Sequence, residues 1–306
     1  ATDTSGAEGF PNSFKFDCTT ADTSLAASDF LGIQQKIEGQ NVQDFLKGTS
    51  NAKKFTLSFY VKTNKLGVYT VELRDNDNSR QCSKTFTVAN TNWNRYTLSY
   101  PADTTGVIDN NNGDSLQVNF WLIAGSTYTG GTLNSSGWAS QTNANRVSSS
   151  NVNIGDSTDN NFELTGVQLE VDQTGSGVAT DFEHRSFSQE LALCQRYFQF
   201  IGSGFITSAR GASSSMYLYS YTCPVNLRAS PTVSTNNDLA HGTFNVRRYR
   251  DGTGISDSTN TPTANTSYFV TTNNTVHLQQ DGFTATDDRS ATIFLGGGAI
   301  TLDSEL

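Results

Sequence analysis

Three short stretches carry side chains of the kind that hold a polyhydroxylated ligand. FTLSFYVKT (Phe55 to Thr63), VYTVELRDN (Val68 to Asn76) and LQVNFWLIAG (Leu116 to Gly125) alternate apolar and polar residues, the period of a strand with one buried face. Phe55, Leu57, Phe59 and Val61 fall on one side of the first, with Thr56, Ser58, Tyr60 and Lys62 opposite. In the second, Tyr69, Val71 and Leu73 oppose Thr70, Glu72 and Arg74; in the third, Leu116, Val118, Phe120 and Leu122 oppose Gln117, Asn119 and Trp121. The outer faces thus collect Tyr60, Glu72, Arg74, Gln117, Asn119 and Trp121. An aromatic ring covers the apolar side of a pyranose while amides and charged groups bond its hydroxyls. The set is therefore a candidate sugar site if the sheet order brings these strands together, with Trp138 of a later loop as a further candidate. The plainer reading is a solvated sheet face, or one covered by the loop or by another subunit.

Other chemistries find less support. RDNDNS (Arg74 to Ser79) is oxygen-rich but lacks the Gly and Glu of an EF-hand loop; a hydrated turn is expected, a structural calcium is the alternative, and no other cofactor is indicated. His184, His241 and His277 lie far apart, with no HExxH and no GxSxG. Glu170 and Glu183 could form a glycosidase carboxylate pair, but nothing in their spacing fixes the separation. Gly296 to Gly298 are not followed by Lys, Ser or Thr, so they read as a bend rather than a phosphate loop. The chain is read as non-enzymatic.

The elements that must position these residues are β-strands. Thr, Ser, Asn, Gly, Phe and Tyr are abundant, and runs of Ala, Glu and Lys are absent. Strands are predicted at Phe14–Cys18, Phe30–Glu38, Lys54–Thr63, Gly67–Asn76, Arg80–Val88, Arg95–Tyr100, Leu116–Gly125 and Phe162–Val171, with a helical turn at Val42–Lys47. Such regular spacing is the pattern of a jelly-roll β-sandwich. In the last strand Phe162 and Leu164 share a face, and a glycine-marked bulge at Thr165-Gly166 would let Val167, Leu169 and Val171 continue it. Between Gly125 and Asn161 runs a long polar loop carrying Tyr128, Trp138 and Arg146, of a length that is usually functional or mobile and that could pack over a sheet edge.

Phe187, Leu191, Cys194, Phe198 and Ile201 are spaced four, three, four and three, an a/d heptad stripe on a helix that Ser186 or Ser188 could cap. Two heptads need a partner surface, either the chain's own sheets or the same helix in sister subunits. Further strands are expected beyond it, with a hairpin turn at Asn273-Asn274 and a connector at VNLRAS between Pro224 and Pro231. The 306 residues thus divide into a lead-in over 1–13, a jelly roll over 14–184, a connecting helix over 185–203 and a C-terminal β-sandwich-like domain over 204–306. The fold class is all-β.

The net charge is −9 and uneven: residues 1–184 hold 12 Lys+Arg against 20 Asp+Glu, and all eight Lys. An acidic chain without a basic stripe argues against nucleic acid and against an anionic membrane surface; Arg247, Arg248 and Arg250 are at once followed by Asp251. No apolar run approaches the roughly 18 residues of a membrane helix, so no membrane insertion is expected. The N-terminus lacks a signal sequence and an initiating Met, which suggests a processed product or a piece of a longer chain. Cys194 and Cys223 read as small core hydrophobes; for Cys18 and Cys82 reduced thiols are expected over a disulfide.

Several segments resemble a recurring tail-fibre or receptor-binding appendage protein of marine podovirus-like bacteriophages. They are SFKFDCTTADTSLAASDFLGIQQKIEGQNVQDFLKGTSNAKKFTLSFYVKT, ELRDNDNSR, TNANR, FELTGVQLEV, ATDFEHRSFSQELALCQRYF and CPVNLRASPTV. The resemblance implies a carbohydrate-binding-module-like jelly roll joined by a short helix to a variable terminal domain, usually in homotrimeric fibres. It implies a virion location after assembly in the host cytoplasm, other phage tail proteins as neighbours, and non-catalytic attachment to a host cell-surface glycan. A structural connector or decoration protein is the alternative, and a fibre-borne depolymerase the third.

Overall fold

The computed structural model describes residues 2–3, 6–7, 9–202, 206–213, 216–235, 244–249, 255–259, 266–272, 274–281, 290–295 and 300–305. His241, Arg250, Asp251, Asn273 and Gly296 to Gly298 lie outside them. The chain divides into two compact units, Ala1–His184 and Arg185–Glu305, and the strand pairing makes both all-β.

The first unit holds β1 (Thr2–Asp3), β2 (Ser13–Asp17), β3 (Phe30–Glu38), β4 (Phe55–Thr63), β5 (Gly67–Asp75), β6 (Arg80–Val88), β7 (Asn94–Tyr100), β8 (Asp114–Ala124), β9 (Ala139–Ser140) and β10 (Asn161–Val171). They form two five-stranded antiparallel sheets, ordered β1-β2-β10-β4-β7 and β3-β8-β5-β6-β9. The predicted strands match these to within two residues at each end, and the expected helical turn is a pair of 3-10 turns at Gly39–Asn41 and Gln43–Phe45.

The inward set of each alternating strand meets in one core between the two sheets. Phe59 of β4 stands edge-on to Phe86 at 5.0 Å and to Phe120 at 4.9 Å, both from the other sheet. Burying each such ring is worth about 1.5–3 kcal/mol. Two core phenols find carbonyls, as buried hydroxyls must. The Tyr100 hydroxyl donates to the Val71 carbonyl across the sandwich at 3.0 Å. The Tyr69 hydroxyl donates to Lys65 at 2.7 Å, and burial pushes its pKa up to about 12.

The bulge in β10 lies where expected. Thr165 pairs with Tyr60 and Gln168 with Ser58, so Gly166 and Val167 together face the single residue Phe59. Gly166 adopts φ +58°, and a Cβ there would meet the Phe10 ring at 2.7 Å, so two constraints select glycine. The same insertion corrects the reading of Val167, which is exposed rather than part of the core; Leu169 and Val171 return to it.

In the second unit α2 (Phe187–Gln195) begins with a complete capping box between Ser186 and Gln189, and Glu190 lies in its first turn. It stops after nine residues. Phe198 and Ile201 are not on the helix: they belong to β11 (Phe198–Ile201), paired antiparallel with β20 (Ile300–Asp303). There the period is two, so Phe198 is exposed and Ile201 buried. The expected heptad stripe is therefore broken, leaving Phe187, Leu191 and Cys194 on the helix, all exposed. Cys194 is thus not a core residue, whereas Cys18, Cys82 and Cys223 are buried, and all four are free thiols.

β11 and β20 join β14 (Thr232–Thr235) in a three-stranded sheet. A seven-stranded sheet runs β16 (Ile255–Thr259), β15 (Phe244–Tyr249), β19 (Ser290–Leu295), β12 (Ile206–Ser213), β13 (Met216–Thr222), β18 (Thr275–Asp281), β17 (Thr266–Thr272). β17 and β18 pair through Thr272 and Thr275, in accord with the expected hairpin. VNLRAS is a connector, and its Arg228 guanidinium donates to the Ser304 and Glu305 carbonyls at 2.8 and 2.9 Å.

Candidate functional site

The outer face of the sheet β3-β8-β5-β6-β9 is built from three cross-strand rows. The first is Lys36, Gln117, Arg74, Gln81; the second Gln34, Asn119, Glu72, Ser83; the third Gly32, Trp121, Thr70, Thr85. Successive rows lie about 7 Å apart along the strands. Sheet order thus does bring Glu72, Arg74, Gln117, Asn119 and Trp121 onto one face.

Tyr60 and Trp138 are not part of it. Tyr60 belongs to β4, on the outer side of the opposite sheet, where it packs against Phe10 at 5.3 Å and lies 5.9 Å from the Arg95 guanidinium. The segment after β10 folds back over that side: Thr180 donates its amide and hydroxyl to Glu170, at 2.8 and 2.7 Å. Trp138 donates its indole N–H to the Pro101 carbonyl at 2.9 Å, stands edge-on to Phe55, and lies 4.9 Å from the Lys47 ammonium. The period of a strand reports a side, and a side exists on both sheets; this is why the six-residue outer face expected from alternation separates.

The loop after β8 covers the β6 side of the face and Glu72 of β5, while Arg74, two residues further along β5, stays half-buried. The loop after β8, with α1 (Ser126–Thr129) and β9, adds β9 to the edge of β6 through Gln81↔Ala139 and Arg80↔Ser140 and delivers Arg146. Its guanidinium grips the Glu72 carboxylate with both ends, Nε to Oε1 at 2.9 Å and Nη2 to Oε2 at 2.8 Å. The same carboxylate accepts from Asn119 at 3.1 Å and from the Trp121 indole at 3.3 Å. Arg146 also lies over the Trp121 ring at 4.8 Å, and its carbonyl accepts from the Ser83 hydroxyl at 2.7 Å. Glu72 is fully buried and Trp121 is only 5% exposed, so neither stands on a solvated face.

The β3 half is open. Phe30 is 63% exposed and forms an aromatic group with Trp121 at 6.0 Å and Tyr128 at 5.5 Å. Gln34 is exposed, and its amide donates to Gln117 at 3.1 Å and to Asn119 at 2.8 Å. Gln117 in turn donates to Asp114 at 2.6 Å. Gln117 and Asn119 therefore spend their donors holding the face together, and the groups that face a ligand on the β3 side are Phe30, Tyr128 and the Gln34 side-chain oxygen. Reasoning from sequence missed Phe30 and Gln34. Leu31, Ile33 and Ile37 pack inward, which marks Phe30, Gln34 and Lys36 as outward by period, but Gly32 and Gln35 blur the alternation of FLGIQQKIE.

The oxygen-rich turn is satisfied by the protein itself. Asp75 is ion-paired with the Lys47 ammonium and accepts from the Asn78 amide at 3.0 Å; Asp77 accepts from the Asp109 amide at 3.0 Å. Lys47 also pairs with Asp103 at 3.0 Å and donates to the Thr105 and Gly106 carbonyls. Among the described residues no group of three His, Cys, Asp or Glu is disposed to hold a metal. A cavity of about 360 Å³ lies elsewhere, lined among others by Ile37, Asn41, Phe45, Leu169 and Gln173; it touches none of the open aromatic group. Among the described residues no helix is long and apolar enough to cross a membrane.

No family model matches the chain, and no curated protein matches it. Among solved structures, a family 16 carbohydrate-binding module aligns at 11% identity over 55% of this chain and 83% of its own, with a TM-score of 0.27. A Bacteroides thetaiotaomicron protein described as sugar-binding aligns at 12% over 56% and 81%, at 0.28. A Penaeus vannamei nodavirus T=1 structure aligns at 12% over 93% of both chains, at 0.19. Likenesses this distant carry no argument, and the all-β fold rests on the strand pairing itself.

Proposed function

We propose that this chain is a non-catalytic glycan-binding protein of a bacteriophage tail fibre or receptor-binding appendage, attaching to a host surface polysaccharide through the outer face of β3 and β8. The observation that carries the reading is the open aromatic group at Phe30 and Tyr128 beside the Gln34 side chain, on a sheet whose β6 side is covered by the loop. Exposed aromatic surface next to fixed amides matches a sugar's alternation of apolar ring face and hydroxyl edge. The setting on a phage appendage comes from the resemblance of the sequence segments. The one carboxylate central to the face, Glu72, is buried and held by Arg146, which favours binding over hydrolysis.

The test is retention of the intact chain on host-cell polysaccharide. Phe30→Ala is expected to weaken binding about tenfold, the value of one ring contact, with an unchanged unfolding midpoint. Undiminished binding by a folded Phe30→Ala protein would remove this face from consideration.

Homotrimeric assembly is part of the same proposal. Phe187, Leu191, Leu193, Phe198 and Phe200 of the second unit are exposed, and a sister subunit would cover them. Cys194 reports on it, being the exposed thiol among four. In a trimer joined through this helix it is expected to resist a maleimide that labels the dilute, dissociated chain. Fast labelling of one thiol per chain at every protein concentration would exclude the contact.

A further inference from the structure

The cross-strand row Lys36, Gln117, Arg74 contains a cation, Arg74, without a counter-charge among the described residues. Arg74 makes no ion pair or hydrogen bond among the described residues, and its Nε is buried without a partner. The contrast with the other guanidinium groups of this unit is direct: Arg80 is bonded by both ends to Asp103, Arg146 to Glu72, and Arg95 to Ser58 and Thr180. A second orphan sits beside it. Gln81, its register partner on β6, is fully buried and its Oε1 has no donor. Leaving a buried polar group unpaired costs about 1–3 kcal/mol; Asp114 Oδ1 near this row is unpaired as well, but Gln81 is fully buried whereas the Arg74 side chain is only half-buried, so Arg74 is the group that a molecule from outside can reach. Lys36 lies on the other side of Gln117 in the same row, with Asp114 at 3.9 Å as a distant counter-charge.

Phe30 is six residues from Lys36 along β3, about 20 Å in extended chain. The aromatic and the cationic ends of the open face are therefore too far apart for one sugar ring. We infer that this face takes an extended anionic polysaccharide lying along β3, a neutral ring face resting on Phe30 and Tyr128 and a carboxylate or sulfate group bonded by Arg74 and Lys36. The inference rests on the glycan-binding reading and specifies its ligand class. It runs against the chain's overall charge: residues 1–184 carry an excess of eight acidic groups, so a polyanion gains nothing from the net charge and depends on the local cations Arg74 and Lys36.

The experiment compares backbone-matched probes on the intact protein: dextran sulfate against dextran, and polygalacturonate against neutral galactan, at two ionic strengths. Preference for at least one anionic member is expected, the pair responding telling sulfate from carboxylate. Arg74→Gln, which keeps a planar amide, is expected to lower affinity for that probe tenfold or more while leaving any neutral binding unchanged, and added salt is expected to erase the difference between wild type and variant. Equal, Phe30-dependent binding of charged and neutral probes would overturn the anionic inference and leave the glycan reading standing. Binding to neither kind would overturn both. An anionic preference that survives Arg74→Gln in a folded protein would also overturn the assignment.

Discussion

Arg146→Met is expected to destabilise the first unit by about 3–5 kcal/mol, the cost of leaving a buried carboxylate without its partner. Glu72 is fully buried, and Arg146 supplies two of the four hydrogen bonds it accepts. Methionine keeps much of the stem's packing but cannot neutralise the charge. The loss also reaches the loop, because Arg146 ties the chain to Trp121 and, through its carbonyl, to Ser83. At roughly 2–4 °C per kcal/mol for a unit of this size, the melting transition falls by about 10 °C, and Trp121 fluorescence reports it. The double variant Glu72→Gln, Arg146→Met is expected to recover a large part of the loss, since no buried charge remains. A single variant within 1 kcal/mol of wild type would show that the guanidinium does not hold the loop.

Lys47→Met is expected to cost a similar amount and to change the response to acid. The Lys47 ammonium is wholly buried, paired with Asp75 and Asp103 and lying beside the Trp138 ring. For Asp103, burial by itself raises the pKa, but hydrogen bonds from Arg80 and Lys47 outweigh it and hold the group below the ordinary carboxylate value. A carboxylate depressed in the folded state stabilises above its unfolded pKa, and that contribution is lost as pH falls through the folded pKa. The wild type is therefore expected to lose stability on acidification below the ordinary aspartate range, near pH 4. In Lys47→Met, Asp103 keeps Arg80 but loses one of the two bonds that depress it, so less stability remains to be lost. Urea midpoints of the two proteins should converge between pH 7 and pH 3. A gap that widens on acidification would contradict the assignment.

What period alone can decide is the side of a strand. It placed Phe55, Phe59, Val71, Leu73, Val118 and Phe120 in the core, and the sandwich is assembled from those residues. Glycine chemistry likewise located the bulge at Gly166, and the pattern around Ser186 located the start of the helix. Each of these is a property of neighbours in sequence, for which local spacing is sufficient physics.

Only the tertiary structure decided which outer residues share a face and which of them meet solvent. Tyr60 and Trp121 have the same local signature, yet one packs against Phe10 on the outer side of the opposite sheet and the other lies under Arg146, a residue 25 positions further along. The heptad spacing through Phe198 and Ile201 failed for the same reason: pairing with β20, some hundred residues away, draws that segment into a strand. The open aromatic group and the uncompensated Arg74 are likewise consequences of what the loop covers and what it leaves. Coverage depends on contacts between residues distant in sequence, such as Glu72 with Arg146, and no local period encodes them.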